Sequence, residues 1–417
     1  MPKVAILTNQ MDFNPSYSLV GIITDQERML KKYGHDVVVY VNERCNRHAP
    51  AEYRKTIPFA HLLDYQSRHD LSEQHKKVVE QTAAMLTTEL AGVDFVFTHD
   101  FLFQGWYLPY GLGCLKASRS LPQVRWFHWL HSVPTGKKDW WNASEFGPAH
   151  KLIFPNEVDR VRIAEEYRGR PQDIRVIPHI KDLRTWKDFL PETCEIIDAH
   201  PGIMQADVVC VYPGSVDRLE AKRLEHVMRI VHGFRRHGLS ICLVVATQWA
   251  NVSRHQEKLD RYGQLAREIG YRPGEIVFTS QIFDKKYAVG LPRRILRELW
   301  ECANLFVFPT REESFGLVLP EAALSSGCFC ILNKSLLNQI EISGMKGLYF
   351  DFGSSYHEHT LKIPLERYCN EIATLALGRM LQNESIQLRN HFRQHNNYDY
   401  LFARYYAPIM AEASTWV

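Results

Sequence analysis

The sequence predicts an α/β protein made of two successive parallel-sheet units. Three observations predict it. Apolar, strand-like runs recur along the chain and alternate with helix-length amphipathic segments. That rhythm breaks once, between His179 and about Gln205, and then restarts. The length, 417 residues, exceeds one ordinary hydrophobic core and suits two.

The elements follow in order. Residues 4–7 read as a buried strand, followed by a polar loop with Asn9, Asn14 and Pro15. A helix over about 20–32 stops at Gly34, and His35-Asp36 lead into a second strand at 37–41. Strand, helix, strand is a βαβ unit. Further strands are expected at 95–98, 124–130, 151–155 and 174–177, with helices at 72–90 and 157–167. The stretch to about 205, with Pro191 and Pro201, reads as a linker. The second series has strands at 207–212, 241–246, 276–279, 305–308, 328–332 and 347–350. Strands alternating with helices give an open parallel sheet. The expected domains are 1–190, 206–390 and a helical segment 391–417. In that last segment Tyr398, Tyr400, Phe402, Tyr405 and Tyr406 read as core packing.

Composition narrows the classes. Hydrophobic residues make up 45% and charged residues 23%, ordinary for a globular chain. The net charge of +3 permits an anionic ligand but lacks the basic excess of a nucleic-acid binder. The nine cysteines form no CxxC pair, and Cys210, Cys242, Cys328 and Cys330 sit in apolar runs. They read as small hydrophobes in a reducing, cytoplasmic compartment, with no structural zinc. No run reaches the roughly 18 apolar residues of a membrane span. No Asp-x-Asp metal motif and no phosphate-binding Gly-x4-Gly-Lys-Ser/Thr loop occurs.

The densest chemical signal is 305–323, LFVFPTREESFGLVLPEAA. A strand ends at Phe308-Pro309, a loop holds Arg311 to Gly316, Pro320 suits a first helical turn and Gly327 its stop. Ligands of open α/β sheets bind at the carboxyl ends of strands, where this loop falls. Glu313 and Glu321 are carboxylates separated by seven residues, able to accept sugar and ribose hydroxyls. The amides of 314–317 and of the helix start can receive phosphate oxygens, and Gly316 lets the backbone approach them.

By these residues the segment resembles the Glu-x7-Glu motif of retaining glycosyltransferases of the two-domain GT-B type, family 4 in particular. Pro309, Thr310, Glu313, Phe315, Gly316, Glu321 and Ala322 follow the family order, with Thr310 in place of a serine. The resemblance implies two Rossmann-like domains with a cleft between them and a C-terminal helix returning to the first. It implies that Glu321 holds the ribose of a nucleotide sugar and Glu313 the sugar hydroxyls. Phe315, Gly316 and Leu317 would line sugar and diphosphate, and Thr279 would serve the donor at another strand end.

A second cluster follows the first strand of the second series: Gly214, Ser215, Arg218, Lys222 and Arg223. Family members carry an arginine and a lysine there to neutralise the diphosphate. Arg218 and Lys222 match in type, one turn apart if the helix has begun; Ser215 takes the family's usual arginine position, and Arg223 remains an alternative to either. The family also places a histidine near the transferred sugar at a strand end. That role falls to His131 first and His128 second, with a core histidine the open alternative for His128. Residues 175–178 match the family's Val-Ile-Pro stretch, but His179 departs from its Asn-Gly, and the first loop lacks the usual Gly-Gly.

The resemblance thus implies front-face sugar transfer with retention, from a nucleotide-diphosphate sugar, UDP-linked first among donors, without metal or cofactor. The acceptor stays open among glycan, lipid-linked glycan, protein, small molecule and hydroxylated DNA base. A nucleotide-sugar epimerase and a non-catalytic nucleotide or nucleic-acid binder are the rivals. The loop 135–141, with two lysines and two tryptophans, is read either as a base-stacking or membrane-surface contact or as a solvated loop with its indoles turned inward.

Overall fold

A computed structural model describes residues 2–415 apart from 46–47, 60–64, 66, 105–106, 133, 137 and 358–360. The chain divides into two compact units, Met1–Asp182 with Asn396–Val417, and Leu183–His395.

The first unit has a seven-stranded sheet in the order β3-β2-β1-β4-β5-β6-β7, all neighbours parallel. The strands are β1 (Lys3–Thr8), β2 (Asp36–Asn42), β3 (Arg54–Ile57), β4 (Phe95–His99), β5 (Arg125–Trp129), β6 (His150–Phe154) and β7 (Ile174–Val176). Helices α1 (Ser18–Lys32), α2 (Glu73–Glu89), α3 (Leu108–Ser118) and α4 (Arg160–Glu166) connect them. Residues of β5 alternate between two cores: Trp126 packs into one, Phe127 and Trp129 into the other. Both faces of the sheet are therefore covered, which explains the near-continuous apolar runs. Ser72 caps α2 reciprocally with His75, whose Nδ1 accepts from the Ser72 amide at 3.1 Å.

Residues 396–415 return to this unit. The Tyr398 hydroxyl donates to Asp25 Oδ1 at 2.8 Å, and its amide donates to Asp182 Oδ2 at 3.0 Å. Tyr398 and Tyr406 are buried, while Tyr400, Phe402 and Tyr405 pack partly buried against the same core. The elements here are α15 (Tyr398–Leu401), a π-helical turn at Phe402–Tyr406 and α16 (Ala407–Ala413).

The second unit has a six-stranded parallel sheet, β10-β9-β8-β11-β12-β13. Its strands are β8 (Val208–Ser215), β9 (Ile241–Gln248), β10 (Ile276–Phe278), β11 (Leu305–Phe308), β12 (Phe329–Asn333) and β13 (Leu348–Phe350). Its helices are α5 (Leu183–Trp186), α6 (Pro191–Ala199), α7 (Gly202–Gln205), α8 (Leu224–Gly233), α9 (Ser253–Ile269), α10 (Arg293–Cys302), α11 (Val318–Ser326), α12 (Leu337–Ile342), α13 (Leu365–Leu381) and α14 (Glu384–His395). Cys210, Cys242 and Cys328 are packed in the core as apolar residues.

The expected linker is corrected here. Residues 183–205 form three helices within the second unit, and Ile196, Ile197, Ile203 and Met204 are buried in its core. Pro191 does not break structure but opens α6, where its missing N–H costs nothing. In each sheet the order reverses beside the first strand, at β1/β4 and at β8/β11. Such switch points are where open α/β sheets bind ligands. No described helix is long and apolar enough to cross a membrane.

Candidate functional site

Two loops flank the β8/β11 switch point of the second unit, after β8 and after β11. They are tied together by the Arg311 amide, which donates to the Ala221 carbonyl at 2.8 Å. The β11 loop carries Glu313, and the β8 loop delivers Lys222 to it. Lys222 Nζ lies 2.6 Å from Glu313 Oε2, with the two side chains only 13% and 14% exposed. The ammonium also lies 5.2 Å from the centre of the Phe308 ring, at cation–π distance. A pair so far withdrawn from water is strong only because each charge answers the other.

Arg218 stands at the mouth, 46% exposed, with a long 3.4 Å contact to Glu312. The expectation that Arg218 and Lys222 ride on a helix start is corrected. Arg223 has φ +54°, so α8 begins only at Leu224, after both cations. They sit in a turn closed by the Lys222 amide on the Arg218 carbonyl at 2.8 Å. Arg223 faces elsewhere: its Nη1 donates to the carbonyls of Pro309 and Gly353 at 3.1 and 3.0 Å. Burial lowers its pKa. It fastens the base of the β11 loop.

The loop itself is shaped for an anion. Gly316 has φ +75°, and a Cβ there would meet Glu313 Cγ, Gln339 Nε2 and Phe308 Cε1 at 3.0–3.1 Å. This turn aims the backbone outward. Among the described residues, the amides of Ser314, Phe315, Gly316 and Leu317 have no hydrogen-bond acceptor. They run directly into the first turn of α11, whose own amides add to the same positive end. Helix α12 clamps the loop from behind. Gln339 Nε2 donates to the Phe315 carbonyl at 3.1 Å, and Asn338 Nδ2 to the carbonyls of Glu313 and Ser314. Asn333, at the end of β12, donates to the carbonyls of Thr310 and Gly353 at 2.9 and 2.7 Å.

Glu321 sits in the first turn of α11 and pairs with the exposed Arg293 at the start of α10. Gly214 lies inside β8, and an added Cβ there would approach Leu219 at 3.2 Å. Thr279 follows β10 and is fully buried, its hydroxyl oxygen without a partner among the described residues. A polar pocket of about 640 Å³ gathers Arg218, Arg311, Glu312, Glu313, Ser314 and Asn338. A larger, more apolar cavity of about 840 Å³ lies against α11, and Phe315 lines it. The charges and Ser314, the first residue of the open-amide row, line the smaller pocket, whereas Phe315 lines the larger one.

The first unit holds the two candidate histidines. His128 is fully buried, with Nδ1 on Thr98 Oγ1 and Nε2 on His150 Nδ1, each at 2.9 Å. It is a satisfied core histidine, and the second-choice sugar role falls away for want of an unspent nitrogen. His131 follows β5 beside the β1/β4 switch point. Its amide donates to Asp100 Oδ1 at 3.1 Å, and its Nε2 lies 2.8 Å from His99 Nδ1. Burial pushes the His99 pKa down to about 3 and that of His131 well below the usual range. Burial raises Asp100 to about 6, against the lowering effect of the His131 amide.

The loop 135–141 resolves toward its inward reading. Trp140 and Trp141 are buried, and Trp141 Nε1 donates to the Phe103 carbonyl at 3.0 Å. Lys137 lies outside the described residues. Sequence reasoning missed Asn333, Asn338 and Gln339, which touch only backbone. It also missed His99, although His99 and His131 each close a strand run.

No family profile matches the chain, and no curated protein matches it. Solved structures similar to it include a glycosyltransferase from Rickettsia africae ESF-5, at 12% identity over 99% of both chains with a TM-score of 0.36. A trehalose-6-phosphate protein from E. coli bound with UDP-2-fluoro glucose aligns at 12% identity over 100% and 99%, TM-score 0.33. WaaG, a glycosyltransferase involved in lipopolysaccharide biosynthesis, aligns at 15% over 99% and 98%, TM-score 0.32. Similarity this distant leaves the functional reading to the chain's own residues.

Proposed function

We propose that this chain is a GT-B glycosyltransferase that moves a sugar, with retention and without a metal ion, from a nucleotide-diphosphate sugar to a hydroxyl acceptor. The observation that carries the reading is the row of unspent amides from Ser314 to Leu317, set beside the Lys222–Glu313 pair at the β8/β11 switch point. Open amides at a helix start favour phosphate oxygens. A cation and a carboxylate beside them match a ligand that is part phosphate and part polyol.

In this reading the diphosphate rests on the amides, Arg218 and Lys222. Charge growing on the leaving diphosphate meets groups already in place, which lowers the barrier. Glu313 accepts sugar hydroxyls, held in position by Lys222. Glu321 accepts the ribose hydroxyls and exchanges its contact with Arg293 to do so. Arg223 shapes the loop. The cations and amides do the neutralising that a metal does elsewhere. His131 serves the transferred sugar by the family resemblance. A cytoplasmic enzyme fits cysteines packed as core hydrophobes.

The test is product release from UDP-, GDP-, ADP- and dTDP-sugars, with and without candidate acceptors, in EDTA. The account expects one donor to release its nucleoside diphosphate, faster when the right acceptor is added. Interconversion of the sugar without release would assign an epimerase instead. Binding without either would assign a non-catalytic nucleotide binder.

A further inference from the structure

The apolar cavity of about 840 Å³ beside α11 has no role in the function proposed above. One wall is α11 itself, through Leu319, Pro320, Ala323 and Leu324. Phe315 lies at one end, before the helix starts, and Gly327 and Cys328 lie at the other, past its stop. The cavity is therefore a groove that runs the length of a nine-residue helix, about 14 Å. Its floor is Phe329 and Cys330 of β12 with Leu348 of β13.

This floor is a part of the sheet left uncovered. In the middle of the sheet, β11 is buried throughout and β8 up to its last residue. The first two residues of β12 and all three of β13 are only partly buried. Parallel sheets are normally covered on both faces. Leu324, 87% exposed, stands over the gap from α11.

We propose that this groove binds one long-chain carboxylate, with the acyl chain along α11 toward Phe315 and the carboxylate between Lys346 and Arg379. The proposal does not depend on the function proposed above.

Charge chooses the ligand class. Lys346 and Arg379 are the charged residues of the lining, and no acidic residue joins them. Neither side chain has an ion pair or hydrogen bond among the described residues. The neutral polar groups of the lining are occupied by the fold. The Ser343 hydroxyl donates to the Gln339 carbonyl at 2.6 Å, and Asn383 Oδ1 accepts from the Ile386 amide at 3.1 Å. What the groove offers a ligand is thus apolar surface and two cations.

The groove also has a direction. Leu348 pairs in parallel with Ile331, which sets Lys346 level with Phe329 at the start of β12. Helix α13 follows β13 and runs back along the sheet, and Arg379 lies in its last turn. Both cations therefore stand at the amino ends of the strands. Phe315, in the loop after β11, stands at the carboxyl end. A ligand with its charge at one end and an apolar chain along the rest matches this layout. Burying the chain removes apolar surface of both partners from water. A cationic head would meet like charge. The volume lies within the roughly 300–1,000 Å³ of pockets that hold small ligands.

The test is titration calorimetry of the full chain with dodecanoate, below the concentration at which it forms micelles. Dodecyltrimethylammonium, dodecyl maltoside and phosphatidylglycerol vesicles are titrated in parallel. One dodecanoate should bind per chain, at least tenfold more tightly than dodecyltrimethylammonium. Lys346→Gln with Arg379→Gln should weaken dodecanoate about tenfold, the worth of two exposed charge contacts, and leave dodecyl maltoside unchanged. Ala323 is exposed, so Ala323→Trp fills the groove without entering the core. It should abolish binding at an unchanged melting temperature. Equal affinity for the anionic and cationic chains in the wild-type protein overturns the proposal, and that result needs no variant to fold. Full binding by a folded Ala323→Trp chain overturns it as well. Binding to the vesicles alone overturns it in favour of a bilayer contact. Nucleotide-sugar binding should be unchanged in the Lys346/Arg379 double variant; its absence from the wild-type chain would count against the donor site and not against this one.

Discussion

At the scale of single residues, three cations look alike in sequence and act differently in space. Lys222 is locked to Glu313, Arg218 is exposed, and Arg223 is spent on two carbonyls. Lys222→Met removes the counter-charge of a largely buried carboxylate. It should lower the stability of the second unit by about 1–3 kcal/mol, the cost of an unanswered buried polar group. It should also slow transfer by about 10²–10³-fold, as for other donors aimed at developing negative charge. Arg218→Ala should slow transfer with no measurable change in melting temperature, because its ion pair is long and exposed. Arg223→Ala should show the reverse: a lower melting temperature and nearly unchanged single-turnover rate. Urea melts paired with single-turnover rates read all three. If Arg223→Ala alone slows transfer, the diphosphate sits on Arg223 and the assignment of the other two is wrong.

At the scale of elements, the β11 loop is a rigid mould whose parts come from four places. Gly316 supplies the turn, α12 the clamp, Asn333 the floor and Arg223 the brace. Gly316→Ala should cost about 1–2 kcal/mol for a left-handed backbone with a side chain. It should also displace Glu313, whose Cγ lies at 3.0 Å from the new atom. Donor affinity should therefore fall by more than the fold does; equal donor affinity in a folded Gly316→Ala protein would mean that the loop does not touch the donor. Much of this mould was legible in the sequence. Phe308-Pro309, Gly316, Pro320 and Gly327 mark strand end, turn, helix start and helix stop, each through a residue with one conformational use. The clamp was not legible. Asn338 and Gln339 bond to backbone carbonyls of a loop some 25 positions earlier in the chain, and nothing local in sequence encodes that meeting. The helices at 183–205 were hidden for another reason: two prolines suggested a break, when one of them opens a helix. Strand β3, RKTI, was hidden because an exposed edge needs no apolar run.

At the scale of the whole molecule, the two units carry different burdens of buried histidine. In the first, His99 and His150 are driven down to about 3, and His128 and His131 well below the usual range, chiefly by burial. In the second, His226 is lowered to about 4 and His200 and His232 are lowered as well, again chiefly by burial. A histidine whose folded pKa lies below its unfolded value of about 6.5 is neutral when folded and charged when unfolded at mild acidity. The unfolded chain then binds more protons, so stability is full above about pH 6.5 and falls as pH drops toward 3. Asp100, raised to about 6, opposes this with the stability of one carboxyl, present below its unfolded pKa and lost as pH rises through 6. With His35 and His179, which burial also lowers, six histidines of the first unit outweigh one aspartate. Scanning calorimetry between about pH 7 and about pH 5 should show the first unit's transition falling further than the second's. Equal shifts would mean that the buried histidines are not neutral.

The central claim is that the second unit binds a nucleotide-diphosphate sugar through its amide row and acidic pair, without a metal. Titration calorimetry of the wild-type chain and Glu321→Ala with UDP-, GDP-, ADP- and dTDP-sugars in EDTA tests it most directly. The account predicts that one nucleotide sugar binds in EDTA and that Glu321→Ala weakens it by about 1–3 kcal/mol, the worth of charged hydrogen bonds to ribose. No binding by any of them, binding that returns only with Mn²⁺ or Mg²⁺, or equal affinity in Glu321→Ala would contradict it.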